Sequence, residues 1–343
     1  SSRTAFNRER FYQELRFFGS RPGGNGVWRM TATGNLREES RSLVGHGDWG
    51  TQLDLSREQN LGSLRGTLRG IWQHSRTRGD SLTYLFDYDI ARLRASLAGG
   101  GGWLPVWEGY LEAALKEVPG DREGSYHEAR AGATWRSGGA RYRTLDLRTR
   151  WRDYRDSDGP GRDYVAADLE FHGEAARWQT HSIPVDAAVA FVDYAGSDAL
   201  YFDQLETRLY LPWRWEPLPW NWTLGPQVAL LWDLDGTDRD YRQATLKTVL
   251  SRLVGSGGYA EITVEGGYRD YRNDNAEFIE ITSLSSTFLR SDYWLFDLLA
   301  VVNVPVGDGF SVDLLGSSSW EFHAAESERI QITLVNLAMS RRF

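Results

Sequence analysis

The feature that most constrains this chain is its period. Apolar and polar residues alternate along segment after segment, and a period of two belongs to strands, whose successive side chains point to opposite faces. In 140–154, Leu145, Leu147, Thr149 and Trp151 alternate with Tyr142, Asp146, Arg148, Arg150, Arg152 and Tyr154. In 163–173, Val165, Ala167, Leu169 and Phe171 alternate with Tyr164, Asp168, Glu170 and His172. In 292–305, Trp294, Phe296, Leu298, Ala300, Val302 and Val304 oppose Tyr293, Asp297 and Asn303. One face is apolar and the other carries charge. Helical periodicity is scarce.

Gly, Asp, Asn and Ser punctuate this pattern and predict eighteen strands: 8–18, 27–37, 48–56, 63–75, 81–97, 103–116, 125–136, 140–154, 163–173, 177–194, 199–213, 220–234, 240–253, 259–272, 277–289, 292–305, 310–323 and 329–343. Sixteen is the alternative, because 38–62 and 177–194 are ambiguous. Strands of globular proteins usually run about five or six residues. Most of these run on the order of 11 to 15, the length a tilted strand needs to cross a bilayer.

A soluble sandwich also alternates, with its apolar faces packed together. Two features favour the inverted arrangement. Tryptophans cluster at strand ends on the apolar face: Trp28, Trp103, Trp107, Trp151, Trp213, Trp220, Trp222, Trp294 and Trp320, with Trp49, Trp72 and Trp135. Indole favours the bilayer interface, where its body is apolar-facing and its N–H meets headgroups. The opposite face is dense in ions of both signs, as a wet lumen would be. The expected fold is all-β: a single closed antiparallel transmembrane β-barrel over 1–343, with short connections at both ends. An open edge cannot persist in lipid, so 329–343 is expected to pair with 8–18.

The final segment, "ITLVNLAMSRRF", sharpens this. Thr333, Val335, Leu337 and Met339 lead to Phe343 along one face, with Asn336, Ser340 and Arg342 on the other. The pattern resembles outer-membrane β-barrel proteins of Gram-negative bacteria, porin-like and export-conduit barrels, whose last strand ends in an aromatic residue that serves as an insertion signal. The matching residues are Phe343, Met339, Leu337 and Val335; Arg341 departs from the pattern. The resemblance implies the bacterial outer membrane, with lipid and lipopolysaccharide as surroundings.

Composition closes off other classes. There is no cysteine, which excludes disulfides and thiolate metal sites and suits an oxidising compartment. A formal charge of -8 argues against nucleic acid as a partner. No 18-residue apolar run encodes a membrane helix, and "SSRTAFNRERF" lacks the apolar core of a signal peptide, so any signal or periplasmic domain is expected to be absent from this chain. None of the six histidines has a metal-site spacing, and no nucleophile accompanies "HGDWG" at 46–50. No enzyme, metal or cofactor is expected.

The expected lumen residues are Asp146, Arg148, Arg150, Arg152, Asp168, Glu170, His172, Glu206, Arg208, Glu261, Glu265 and Arg269, joined by Glu108, Glu112, Glu128 and Arg130. A hairpin centred on Gly159 would set Tyr154 beside Tyr164, Arg150 beside Asp168 and Arg148 beside Glu170. That ladder reads either as an anion guide or as a wall of mutually neutralising pairs. Inward tyrosines (Tyr110, Tyr142, Tyr154, Tyr164, Tyr210, Tyr259, Tyr271, Tyr293) read either as a sugar-stacking slide or as wall filler.

Eighteen strands about 4.8 Å apart and tilted about 40° enclose a backbone radius of roughly 18 Å. With the short connections 137–139, 195–198, 235–239, 255–258 and 272–275, nothing in this chain would narrow that opening. The expected function is a transport conduit passing a bulky substrate such as exopolysaccharide, with a periplasmic or inserted protein partner filling or capping it. The alternatives are a general diffusion porin for small solutes and, behind it, an outer-membrane enzyme or structural anchor. An enzyme would show a His–acid or Ser–His pair in hydrogen-bond range at one rim.

Overall fold

The computed structural model describes the chain except residues 1, 8–9, 40–45, 79–86, 102–103, 120, 138–140, 156–162, 197–200, 237–238, 256, 273–291, 308–309, 324–328 and 342–343. Its elements are β1 (Ser2–Asn7), β2 (Arg10–Gly23), β3 (Gly26–Glu39), β4 (His46–Leu61), β5 (Leu64–Arg78), β6 (Tyr88–Gly101), β7 (Leu104–Val118), β8 (Asp121–Arg136), β9 (Arg143–Tyr154), β10 (Tyr164–Trp178), β11 (His181–Tyr194), β12 (Gln204–Tyr210), β13 (Trp213–Trp215), β14 (Trp220–Asp233), β15 (Tyr241–Val254), β16 (Gly258–Tyr271), β17 (Tyr293–Gly307), β18 (Phe310–His323) and β19 (Ile330–Arg341). All belong to one large antiparallel sheet, with no helix among the described residues.

β12 and β13 pair in succession with β14 and are one strand interrupted at Leu211–Pro212, so the sheet has eighteen strands. Proline has no N–H to give the ladder. Gly225 on β14 lies so close to Pro212 that a Cβ there would collide with its backbone. Bulkier residues at 225 would force the strands apart.

The chain forms two compact units. The first comprises Ser1–Gly139, Asp146–Asp168 and Val192–Tyr201; the second comprises Ala140–Leu145, Leu169–Phe191 and Phe202–Phe343. In the first, β1 to β8 form a meander in which each strand pairs with the next. In the second, β12 to β19 do the same through β14.

Two expectations are corrected and a third is narrowed. First, eighteen strands are present, but one differs from the set read from the sequence. β1 was not foreseen, and the expected strand 277–289 lies outside the described residues. β16 and β17 pair directly, from Tyr259↔Asn303 to Arg269↔Tyr293, so no strand separates them. Alternation is a local property and does not say which strands meet.

Second, connections are not short at both ends. In the first unit, β2–β3, β4–β5 and β6–β7 are two residues apart in sequence at one end; at the opposite end β1–β2 and β7–β8 are also two apart, but residues 40–45 and 79–87 make longer connections. Gly24 (φ 60°) and Gly62 (φ 68°) supply the left-handed conformation that two of these tight turns require. In the second unit, β15 and β16 are three residues apart in sequence and β17 and β18 two at one end; at the other, β14–β15, β16–β17 and β18–β19 are seven, twenty-one and six residues apart.

Third, the edge expected to pair with 329–343, residues 8–18, is occupied over part of its length. Residues 10–15 of β2 hold β1 on one edge and β3 on the other.

Within each unit the two faces differ sharply. On the first, register places Leu68, Leu93, Leu111, Ala95 and Ala131 together on one face and Arg69, Arg94, Glu112 and Arg130 on the other. The apolar side chains of that face are open: Leu111 is 68% and Leu93 55% exposed. On the second unit, Leu246, Leu250, Ile262, Phe296 and Trp294 share a face and are likewise exposed. Buried apolar side chains are few among the described residues: Ile90, Ala114, Val118, Ala229, Tyr293 and Leu295, with Pro184 and Pro212. Neither unit has the interior that would be needed to hide its apolar face.

Candidate functional site

The face opposite the leucines is an ionic wall. In the first unit it runs from β3 to β10. Glu58 on β4 accepts from Arg29 of β3 at 2.6 Å and faces Arg65 of β5 at 3.5 Å. Asp54 takes a bidentate bond from Arg69. Arg94 lies 3.8 Å from Glu108 and stacks 3.8 Å from the centroid of the Tyr110 ring. Gly132, directly opposite Tyr110 on β8, is what lets that ring lie flat across the strand, since a Cβ would strike it. Glu58, Arg65, Ser96, Glu108, Thr134 and Arg136, with Ala98 and Val106, border a recess of about 300 Å³.

Glu128 is the centre of this wall. Its side chain is only 1% exposed, and it holds Arg130 at 2.5 Å and Arg152 at 2.6 Å, with Arg150 at 3.9 Å. Arg130 also reaches Glu112 at 3.5 Å. A buried carboxylate is tolerated here because its charge is matched and its lone pairs are filled. Asp146 accepts from Thr134 Oγ1 at 2.5 Å. Arg150 donates to the Tyr164 hydroxyl at 3.3 Å and faces buried Glu128 of β8 at 3.9 Å. Arg148 is exposed on the same strand, two residues before Arg150.

The second unit holds the remaining expected wall residues. His172 contacts Asp186 at 2.9 Å and Glu170 at 3.7 Å. Arg208 forms a double bond pattern with Glu206 at 2.8 and 2.9 Å, and Tyr241 donates to the same carboxylate at 3.3 Å. Glu265 accepts from Thr245 at 2.7 Å, and Glu261 accepts from the Tyr259 hydroxyl. Arg269 donates to Gln243 at 2.8 and 2.5 Å. Not every residue of this face is polar: Ile332 and Leu334 of β19 lie opposite Ser319 and Ser317 and are exposed.

The tryptophans fall on the apolar faces. Trp107 and Trp135 are direct cross-strand partners near the tight turns of the first unit, joined at that end by Trp28. Trp49 and Trp151 sit near the opposite end. In the second unit, Trp213 packs on Trp222 at 5.5 Å, Arg252 covers Trp220 at 4.7 Å, and Trp222 Nε1 donates to Thr248 at 2.8 Å. Trp294 and Trp320 flank Phe296, with Trp320 5.2 Å from its ring. Leu337 and Met339 share this face, opposite Leu314 and Val312. Trp103 and Phe343 lie outside the described residues.

Two His–acid contacts bear on the enzymatic alternative: His172–Asp186, at mid-strand, and His74–Asp89 at 2.5 Å, near the end of β5, where Trp49 and Trp72 pack on the His74 ring. Among the described residues, no hydroxyl reaches either ring.

A recurrent element went unread in the sequence. Asp-Tyr occurs seven times, at 87–88, 153–154, 163–164, 193–194, 240–241, 270–271 and 292–293. Each pair stands at a strand end that faces the longer connections. Three of the aspartates clamp the end of the preceding strand with the same geometry. Asp163 Oδ1 accepts from the Tyr154 N–H at 2.7 Å, Asp240 Oδ1 from Asp233 at 2.7 Å, and Asp292 Oδ1 from Tyr271 at 2.7 Å. Each satisfies an amide that the ladder would otherwise leave bare. The dipeptide count was the available signal. No protein-family model and no curated protein matches this chain.

Proposed function

We propose that this chain is a closed transmembrane β-barrel of the bacterial outer membrane, and that it serves as a conduit for a bulky substrate, exopolysaccharide being the class we favour. A periplasmic or inserted protein partner would fill or cap it. The observation that carries this reading is the division of faces: exposed leucines, valines and phenylalanines bordered by tryptophans on one side, interleaved arginines and carboxylates on the other. An apolar surface of that extent is not left bare in water; lipid is the solvent that suits it. Strands of 14 to 16 residues, such as β4, β7 and β8, are long enough to cross at a tilt. Closure follows from the same solvent, because lipid tolerates no open edge. With Arg10–Leu15 occupied, β1 becomes the partner we assign to β19. By the usual asymmetry of such barrels, the tight turns would face the periplasm and the longer connections the outside.

A second reading, the small-solute porin, is favoured by one feature. The twenty-one residues 272–292 join two directly paired strands, and a connection of that length suffices to narrow an opening. Reconstitution into planar bilayers separates the two. Large, weakly selective conductance supports the conduit; small conductance that rises when residues 274–290 are replaced by a short turn supports the porin. A chain that neither inserts nor conducts would remove both.

A further inference from the structure

The tryptophans lie on the apolar faces, whereas most of the tyrosines near the strand ends sit on the opposite face and form a different pattern; Tyr268, packed on Trp294, is an exception. In the first unit they make a continuous arc along the strand ends next to the longer connections. Tyr126 and Tyr154 are 5.6 Å apart between ring centroids, Tyr164 and Tyr194 5.6 Å, and Tyr194 and Tyr201 5.4 Å. Arg152 closes the gap in the arc: its guanidinium lies 4.2 Å from the Tyr126 ring, 5.5 Å from Tyr164 and 5.9 Å from Tyr154. Lys116 extends the arc, 5.7 Å from both Tyr126 and Tyr88.

The second unit repeats the constellation. Tyr241 and Tyr271 are 5.8 Å apart, and Tyr293 stands 4.7 Å from the His323 ring. Arg269 is set among them, 4.4 Å from Tyr241 and 5.3 Å from Tyr293. In both units the arginine precedes a tyrosine by two residues on one strand and donates to its hydroxyl, Arg152 to Tyr154 at 3.2 Å and Arg269 to Tyr271 at 3.5 Å. The intervening residue is aspartate each time.

A wall exposed to water has no need of this. Charged or small polar side chains would line it as well, as they do further along the same strands. Most of the rings remain partly open, among them Tyr126, Tyr154, Tyr164, Tyr194, Tyr201, Tyr241 and Tyr271. Successive open aromatic rings with a fixed guanidinium between them offer what a chain of pyranose rings requires: apolar faces for its axial C–H groups and donors for its hydroxyls. The tyrosine hydroxyls and the arginine N–H groups provide the polar half of that contact.

We propose that each of these tyrosine–arginine arcs is a contact site for the sugar rings of a polysaccharide chain, at the end of its own unit that carries the longer connections. The inference rests on the transport reading for its substrate and adds where and by what chemistry that substrate is held.

The test uses the full chain reconstituted in planar bilayers, with a linear glucose oligosaccharide as the probe and current block as the readout, and with a galacturonate oligosaccharide in a parallel arm. Block should be saturable. Tyr164→Ala with Tyr194→Ala, and separately Tyr241→Ala with Tyr271→Ala, should each raise the half-blocking concentration by about three- to tenfold, the factor a lost ring stack is worth. The corresponding Phe variants should stay close to the unmodified protein. Tyr201→Ala, which lies outside the strands, supplies a variant that leaves the ladder intact. If these variants conduct normally and are blocked at unchanged concentrations by both oligosaccharides, the arcs are wall packing and the proposal is wrong, while the conduit stands. If the unmodified chain does not conduct before any sugar is added, the transport reading fails. Calorimetric binding of the same oligosaccharides to the detergent-solubilised protein then decides the arcs alone: binding lost in the Ala variants supports them, and no binding overturns them.

Discussion

Leu111 offers the most direct test of which solvent the apolar face meets. It is the middle residue of β7 and is 68% exposed, with Ala95 and Ala131 as its cross-strand neighbours. Little protein packing is lost when its side chain is replaced, so the cost of Leu111→Arg reports its surroundings. In water, an exposed substitution of this kind changes stability by no more than about 0.5 kcal/mol. At the midplane of a bilayer the same arginine costs about 2–4 kcal/mol. Depth sharpens the contrast. Leu115 shares the face four residues on, and at about 3.4 Å per residue and a tilt near 40° it lies roughly 10 Å closer to one surface. The apolar band of such barrels is about 25 Å tall, so Leu115→Arg should cost at most about 1 kcal/mol. The assay is reversible denaturant unfolding from lipid vesicles, followed by the tryptophan fluorescence of the fifteen indoles. Equal and small costs at the two positions would refute the membrane reading. So would a larger cost at Leu115 than at Leu111.

Further outcomes follow from the wall and the clamps. Glu128→Ala leaves Arg130, Arg150 and Arg152 without their shared carboxylate and should destabilise the protein by about 3 kcal/mol; Glu128→Gln should cost less and shift ion selectivity toward anions in the bilayer assay. Replacing Arg148, Arg150 and Arg152 together by Ser should shift selectivity toward cations while changing total conductance far less. Asp163→Ala and Asp292→Ala each remove one acceptor from a strand-end amide and should cost about 1 kcal/mol. Faster hydrogen exchange confined to Tyr154 or Tyr271, respectively, would mark the clamp, and unchanged exchange would show that the amide has another partner.

Much of this protein was determined by the sequence alone. Alternation assigns Leu145, Leu147, Val165 and Phe296 to one face and Arg150, Asp146 and Asp297 to the other because successive strand residues point opposite ways whatever the tertiary context. Strand length and the tryptophans at strand ends follow from the same local reading. Partner choice does not. Glu128 recruits Arg152 and Arg150 through a register between strands, and nothing local to "RTRWRDY" distinguishes that acid from Asp168. Counting residues from a turn sees only the strand that the turn joins, whereas the buried carboxylate that Arg152 holds at 2.6 Å comes from β8, a strand the count does not reach. The alternating stretch 277–289 reads as a strand for the same local reason, yet β16 and β17 meet without it. The seven Asp-Tyr pairs were present in the sequence throughout. Only the sheet, by setting strand ends side by side, turned them into clamps and arcs, because Tyr126 with Tyr154 and Tyr241 with Tyr271 meet across strands and not along one.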